Sequence, residues 1–118
     1  MEKHIILIED DGSLLELACQ VLENEGYRVS ALDSLTSIEE LAEMQADLFV
    51  IDERLPSVSG HIICIMLHEQ AATRHIPQLL ISGSPMLTRY AELAEVNASL
   101  RKPFEIAELL GKITELLK

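Results

Sequence analysis

Four groups of residues in this 118-residue chain have types suited to chemistry, and each follows an apolar run. Asp52 comes directly after Leu48-Phe49-Val50-Ile51. The segment Asp52-Glu53-Arg54-Leu55-Pro56-Ser57-Val58-Ser59-Gly60 then turns the chain. Pro56 cannot continue a strand, and Gly60 supplies backbone freedom before the next apolar stretch. Glu9-Asp10-Asp11 follows the run that ends at Ile8, Ser82-Gly83 follows Leu79-Leu80-Ile81, and Lys102-Pro103 lies just beyond Ala98 to Leu100. Gathered carboxylates attract a hard divalent cation that takes oxygen ligands. A single carboxylate can act as a nucleophile, and a lysine supplies a compact point charge. Asp52 is thus the residue on which chemistry is expected, with the other groups positioned around it.

For these groups to meet, the apolar runs must be strands whose C-terminal ends share one edge. His4 to Ile8, Arg28 to Leu32, Asp47 to Ile51, Gln78 to Ile81 and Ala98 to Leu100 read as five such strands. Between them, Gly12 to Glu25 carries Leu14, Leu15, Ala18, Val21 and Leu22 at helical spacing, with Gly26 where a C-terminal cap belongs. A second helix opens near Ser34 to Ser37, where Thr36 with Glu39 and Ser37 with Glu40 both fit a capping box, and runs to Met44. Helices are also expected over Gly60 to Gln70, from Pro85 in a first turn to Glu95, and over Phe104 to Leu117. Five strands alternating with five helices imply right-handed crossovers and a parallel sheet covered on both faces. In such sheets, sites form at the carboxyl ends of the strands.

Composition narrows the class. The chain is long enough for one domain over 1–118 with its own core. Hydrophobic residues make up 48% and aromatic residues 3%, which describes an aliphatic interior rather than a base-stacking surface. A net charge of −11 argues against direct binding of nucleic acid or an anionic membrane. The longest apolar run, Ile62 to Leu67, is too short to span a bilayer, and the first residues are not a signal peptide. Cys19 and Cys64 fall in expected helices without metal spacing and read as reduced core thiols. His4, His61, His68 and His75 share no ligand spacing and are expected in surface or boundary roles. These features describe a soluble, cytoplasmic, acidic domain.

Taken together, Ile6-Leu7-Ile8-Glu9-Asp10-Asp11, Asp52-x-x-Leu55-Pro56-x-x-x-Gly60, Ser82-Gly83 and Lys102-Pro103-Phe104 resemble the signature set of response-regulator receiver domains. The resemblance covers the whole chain, in order and at family-like spacing. It implies a flavodoxin-like, doubly wound five-stranded sheet in the order 2-1-3-4-5. It also implies that Asp52 accepts a phosphoryl group from a phosphohistidine and later loses it by hydrolysis. Asp10 and Asp52 would be ligands of Mg²⁺ (or Mn²⁺), with Glu9 acting through a water and the backbone carbonyl of Arg54 completing the protein share. Lys102, the Ser82 hydroxyl and the Gly83 amide would hold the phosphoryl oxygens, so that transfer proceeds by positioning and charge neutralisation. The Lys102–Pro103 peptide is expected cis. Asp11 aligns outside the family's acidic pair and is expected only to cap a helix. The implied partner is a sensor histidine kinase or a histidine phosphotransfer domain, with a weak homodimer also compatible.

The chain departs from the family at two places. Ser82 stands where a threonine is usual and keeps the hydroxyl. Ser99, three residues before Lys102, stands where receivers generally place a Tyr or Phe that turns inward on activation, and serine cannot bury comparable area. Signal passage by another route, or service as a relay or sink, are the two readings of that change. Arg54 and Ser84 lie where the family modulates dephosphorylation.

On this reading the domain is not an enzyme beyond its own phosphoryl transfer and dephosphorylation. Three settings suit it: a single-domain regulator, the front of a transcription factor, or the receiver of a hybrid sensor kinase. The Asp-x-Arg-Leu-Pro wording leans toward the last. A degenerate receiver serving as a phosphorylation-independent interaction module is the alternative, and retention of Glu9, Asp10, Asp52, Ser82 and Lys102 argues against it. An aspartyl-phosphate hydrolase would need a second acid where Arg54 stands. A flavin site would need a polar phosphate cradle where the first loop is acidic.

Overall fold

The computed structural model describes residues 2–118. Five strands, β1 (His4–Ile8), β2 (Arg28–Leu32), β3 (Leu48–Asp52), β4 (Gln78–Ser82) and β5 (Ala98–Arg101), alternate with five helices. The helices are α1 (Gly12–Asn24), α2 (Ile38–Glu43), α3 (Gly60–His68), α4 (Leu87–Ala94) and α5 (Ile106–Leu116). All pairings are parallel and the order is β2-β1-β3-β4-β5, as the resemblance implies.

The alternation of side chains along each strand divides the core in two. Ile6, Ile8, Phe49, Ile51 and Leu80 face α2, α3 and α4, where Leu41, Ile63, Leu67, Leu87 and Ala94 meet them. Ile5, Leu7, Leu48, Val50, Leu79 and Ile81 face α1 and α5, against Ala18, Leu22, Leu109 and Ile113. The three central strands are buried throughout, which is why each reads as an unbroken apolar run. β2 and β5, at the edges, are only partly covered. Among the described residues, no helix is long and apolar enough to cross a membrane.

Capping sets the helix ends. Asp11 Oδ1 accepts from the backbone N–H groups of Ser13 (3.1 Å) and Leu14 (3.2 Å), the role expected of it. α2 begins only at Ile38, because Ser37 is its N-cap and Ser37 Oγ accepts from Glu40 N at 3.1 Å. The Glu40 carboxylate takes the Thr36 hydroxyl instead of closing a capping box. A reciprocal box forms at α5 between Glu105 and Glu108. α4 starts at Leu87, two residues after Pro85, because Ser84 first organises a turn: its Oγ accepts from Met86 N and its carbonyl from Leu87 N. Gly26, just after α1, has φ 92, a conformation glycine adopts without steric cost.

Strand register places the four groups at one edge. Ile8 pairs with Ile51, Asp52 with Ile81, and Ser82 with Arg101. Glu9, Asp52, Ser82 and Lys102 therefore emerge side by side where β1, β3, β4 and β5 end.

His4 opens β1, a boundary position, but it is buried rather than superficial. Its Nδ1 donates to the Met44 carbonyl (3.0 Å), and its Nε2 lies 2.7 Å from Ser30 Oγ. The backbone N–H of His4 donates to the Asp47 carboxylate at 2.8 Å. Both cysteines are free thiols. Burial pushes the Cys64 thiol up to about 12, so it sits in the core as a neutral apolar group.

Candidate functional site

Asp52 is 2% exposed and Glu9 1% exposed, yet both belong to a cleft. Asp10, Asp11, Arg54, Ser82, Gly83 and Lys102 contribute to its lining. Lys102 Nζ lies 2.9 Å from Asp52 Oδ1 and 3.0 Å from Glu9 Oε2, bridging two carboxylates delivered by different strands. Asp52 Oδ2 accepts from the backbone N–H of Arg54 at 3.2 Å, and Glu9 Oε1 accepts from that of Asp11 at 3.1 Å. Asp52 Oδ1 is buried and, although Lys102 is beside it, takes no well-aligned hydrogen bond. Ser82 Oγ accepts from Ser84 N at 2.9 Å. Lys102–Pro103 is cis.

One oxygen from each of Glu9, Asp10 and Asp52 lies within 4.8 Å of the others. This all-oxygen set fits a hard divalent cation, and the unused acceptor capacity on Asp52 Oδ1 points the same way. The electrostatics agree. Burial raises the proton affinity of Asp52, with the charge of Asp10 adding to it, while Lys102 and the Arg54 N–H oppose. Burial likewise raises Glu9, and the neighbouring Asp52 charge adds to it. Burial alone would lower the proton affinity of Lys102, but its bonds to Asp52 and Glu9 outweigh that and raise it. The shifts all run upward for different reasons: burial dominates for the two carboxylates, and the two facing carboxylates dominate for the lysine. The cluster keeps an excess of negative charge.

A stability consequence follows for the metal-free protein. A carboxylate whose folded proton affinity is raised favours folding below its unfolded value, 3.8 for Asp52, and that advantage is lost as pH rises through the folded value. Asp52→Asn removes the charge that causes the loss. At pH 7.5 without divalent metal the variant is expected to be more stable than the parent, by about 1 kcal/mol, the ordinary size of a single-substitution effect. Near pH 3 the difference should vanish. Thermal melts at the two pH values check both the sign and the window.

The sequence profile of the response regulator receiver domain matches residues 5–114. The chain belongs to that family. Among curated proteins, the receiver is 30% identical over 117 residues to the DNA-binding dual master transcriptional regulator RpaA of Synechocystis sp.. That alignment covers 97% of the chain and 48% of RpaA. It is 29% identical to the phosphate regulon transcriptional regulatory protein PhoB of Escherichia coli, over 100% of the chain and 53% of PhoB. The chain thus spans about half the length of these relatives. Among solved structures, the receiver domain of sensor histidine kinase PA1611 from Pseudomonas aeruginosa superposes with a TM-score of 0.86 at 26% identity. The match covers 99% of this chain and 98% of that one, whose structure has a magnesium ion coordinated in the active-site cleft.

Glu9, Asp10, Asp52, Arg54, Ser82, Gly83 and Lys102, the residues assigned from the sequence to the acceptor and metal site, all line this cleft, whereas Ser99 does not. Three residues escaped the sequence reading. Glu53 is buried, His61 binds it, and Tyr90 lines the cleft from α4. Glu53 beside Asp52 was the only available signal, and a charge at a strand end ordinarily means solvent.

Proposed function

We propose that this receiver takes a phosphoryl group onto Asp52 from a phosphohistidine of a sensor histidine kinase or histidine phosphotransfer domain, and that the same site later hydrolyses the aspartyl phosphate. The observation that carries the reading is the buried Asp52 carboxylate, held between the Lys102 ammonium at 2.9 Å and the acids Glu9 and Asp10. In the transfer, an Asp52 oxygen forms the new P–O bond as the P–N bond to the donor imidazole breaks. The imidazole nitrogen leaves with the electron pair and acquires a proton from solvent. Lys102 holds a phosphoryl oxygen as a point charge, which requires it to give up part of its pairing with Glu9 and Asp52. The Ser82 hydroxyl and Gly83 amide hold another. Asp10, Asp52 and the Arg54 carbonyl, with Glu9 through a water, would hold Mg²⁺ or Mn²⁺. When bound, that ion neutralises charge between the anionic nucleophile and the anionic donor.

The setting is cytoplasmic. The net charge of −11 argues that a DNA contact, if the intact protein makes one, belongs to another segment. Intact-protein mass after incubation with acetyl phosphate tests the chemistry. A gain of one phosphoryl mass with Mg²⁺ and none with EDTA is expected; an equal gain in both would remove the metal from the account.

A further inference from the structure

We infer that Glu53, His61 and Tyr90 form a positioning link that fixes α3 beside the acceptor, so that a change of acceptor state felt by α4 is registered at the His61–Tyr90 contact. This rests on the reading that Asp52 is the acceptor. Glu53 follows Asp52 directly, and its side chain turns back into the fold to meet the start of α3. Its Oε1 accepts from the His61 N–H at 2.8 Å, and its Oε2 lies 2.8 Å from His61 Nδ1. Its carbonyl accepts from Gly60 N at 2.9 Å. Ser59, the N-cap of α3, makes no capping hydrogen bond with its own side chain, so Glu53 supplies that function from outside the helix. Three bonds thus tie the residue after Asp52 to the first two residues of α3.

The link then crosses to the next helix. The His61 ring stacks on Tyr90 of α4, with centroids 4.4 Å apart and planes 8° from parallel. A His–Tyr stack this close to parallel depends on the relative slide of its two helices. Tyr90 is also the one Tyr or Phe among the described residues that lines the cleft. Phe49 is in the core, while Phe104 and Tyr27 pack on the opposite face of the sheet. On β5, the residue three before Lys102 is Ser99, whose side chain is too short to serve as a movable aromatic wedge.

The start of α4 is tethered to the site by a second route. Ser82 Oγ accepts from Ser84 N, Ser84 Oγ accepts from Met86 N, and Arg101 Nη1 donates to the Ser84 carbonyl at 2.7 Å. If Ser82 turns its hydroxyl toward a group on Asp52, this chain pulls the start of α4. Glu53 and His61 meanwhile hold α3 in place. The slip is concentrated where the two helices touch, at the His61–Tyr90 stack. The two states are stacked and displaced, and the acceptor group biases them through Ser82.

The chain contains two tyrosines, so Tyr27→Phe leaves Tyr90 as the only one. Labelling that variant with 3-fluorotyrosine gives one fluorine resonance reporting on the stack. Addition of Mg²⁺ with beryllofluoride, whose own bound fluorine signals report loading of Asp52, is expected to shift it. In a His61→Ala background, the free-protein resonance should already be displaced and the shift on loading should fall by more than half. His61→Phe, which retains a ring for stacking but lacks the bond to Glu53, should retain stacking but lose part of the response. Bound beryllofluoride with an unmoved Tyr90 resonance would overturn the link alone, as would an unchanged response in His61→Ala. Absence of bound beryllofluoride in the parent would overturn the acceptor reading, and the link with it.

Discussion

Gly60→Ala is expected to lower the melting temperature by about 10 °C, the largest effect of an added methyl group at any of the five glycines. A Cβ at that position would lie 2.2 Å from the Asp52 carbonyl oxygen, 2.8 Å from its carbon and 2.9 Å from Glu53 Cα. All three are backbone atoms of a buried strand end, so no side chain can swing aside. Overpacking of this kind costs about 3 kcal/mol, and for a chain of this size each kcal/mol moves the midpoint by roughly 4 °C. The clash also pushes α3 away from the acceptor, since Gly60 N and His61 N both bond to Glu53. Phosphorylation by acetyl phosphate should therefore slow even at temperatures where the variant stays folded. Gly12→Ala is the control: a Cβ there meets nothing within 4 Å at the first residue of α1, and its melt should equal or slightly exceed that of the parent.

Lys102→Ala should slow Mg²⁺-dependent phosphorylation by roughly 10²–10³-fold, the usual cost of removing one preorganised charge from a site where negative charge accumulates. The loss should appear in the rate of mass gain with acetyl phosphate. Stability should fall too, because the substitution leaves Glu9 and Asp52 facing one another without their common cation. Lys102 keeps 28% of its side chain in contact with solvent, so the cost is discounted from the fully buried range to about 2 kcal/mol at pH 8. The sign depends on pH in a defined way. The lysine's contribution is intact at pH 8, since it is lost only above the ordinary 10.5 as pH rises through its raised value. The carboxylates, however, must be ionised to need it. As pH falls toward their ordinary values of 3.8 and 4.5 they take up protons, and the gap between variant and parent should shrink. Denaturant melts at pH 8 and pH 4 without metal check this.

Much of this arrangement was legible in the sequence because a doubly covered parallel sheet writes its strands as apolar runs that stop at the site. His4–Ile8 and Arg28–Leu32 have the expected bounds. β3 begins and ends one residue later than expected. Asp47 serves as an acceptor for the His4 N–H rather than as a strand residue, and Asp52 pairs with Ile81 before the chain turns. Periodicity could not supply the strand order; the family resemblance did. The side-chain meeting of Lys102 with Glu9, 93 residues apart, likewise depends on that order.

What escaped was the set of contacts made only when two helices pack. Glu53 reads as a solvated acid until α3 folds back over it. His61 reads as a boundary histidine, and Tyr90 as a residue of a polar helix. Their partners sit on other elements, and no local spacing reveals them. Ser99 is the converse case. Its identity was plain in the sequence, but the aromatic that lines the cleft, Tyr90, is placed there only by the packing of α4.

The most direct test of the central claim is to locate the phosphoryl group by residue. After reaction with acetyl phosphate and Mg²⁺, borohydride converts an aspartyl phosphate to homoserine, which peptide mass spectrometry can assign. The account predicts homoserine at position 52 alone, and none in Asp52→Asn. Homoserine at position 10 or 11, or a phosphoryl group that survives on a serine or histidine of the unmutated protein, would contradict it.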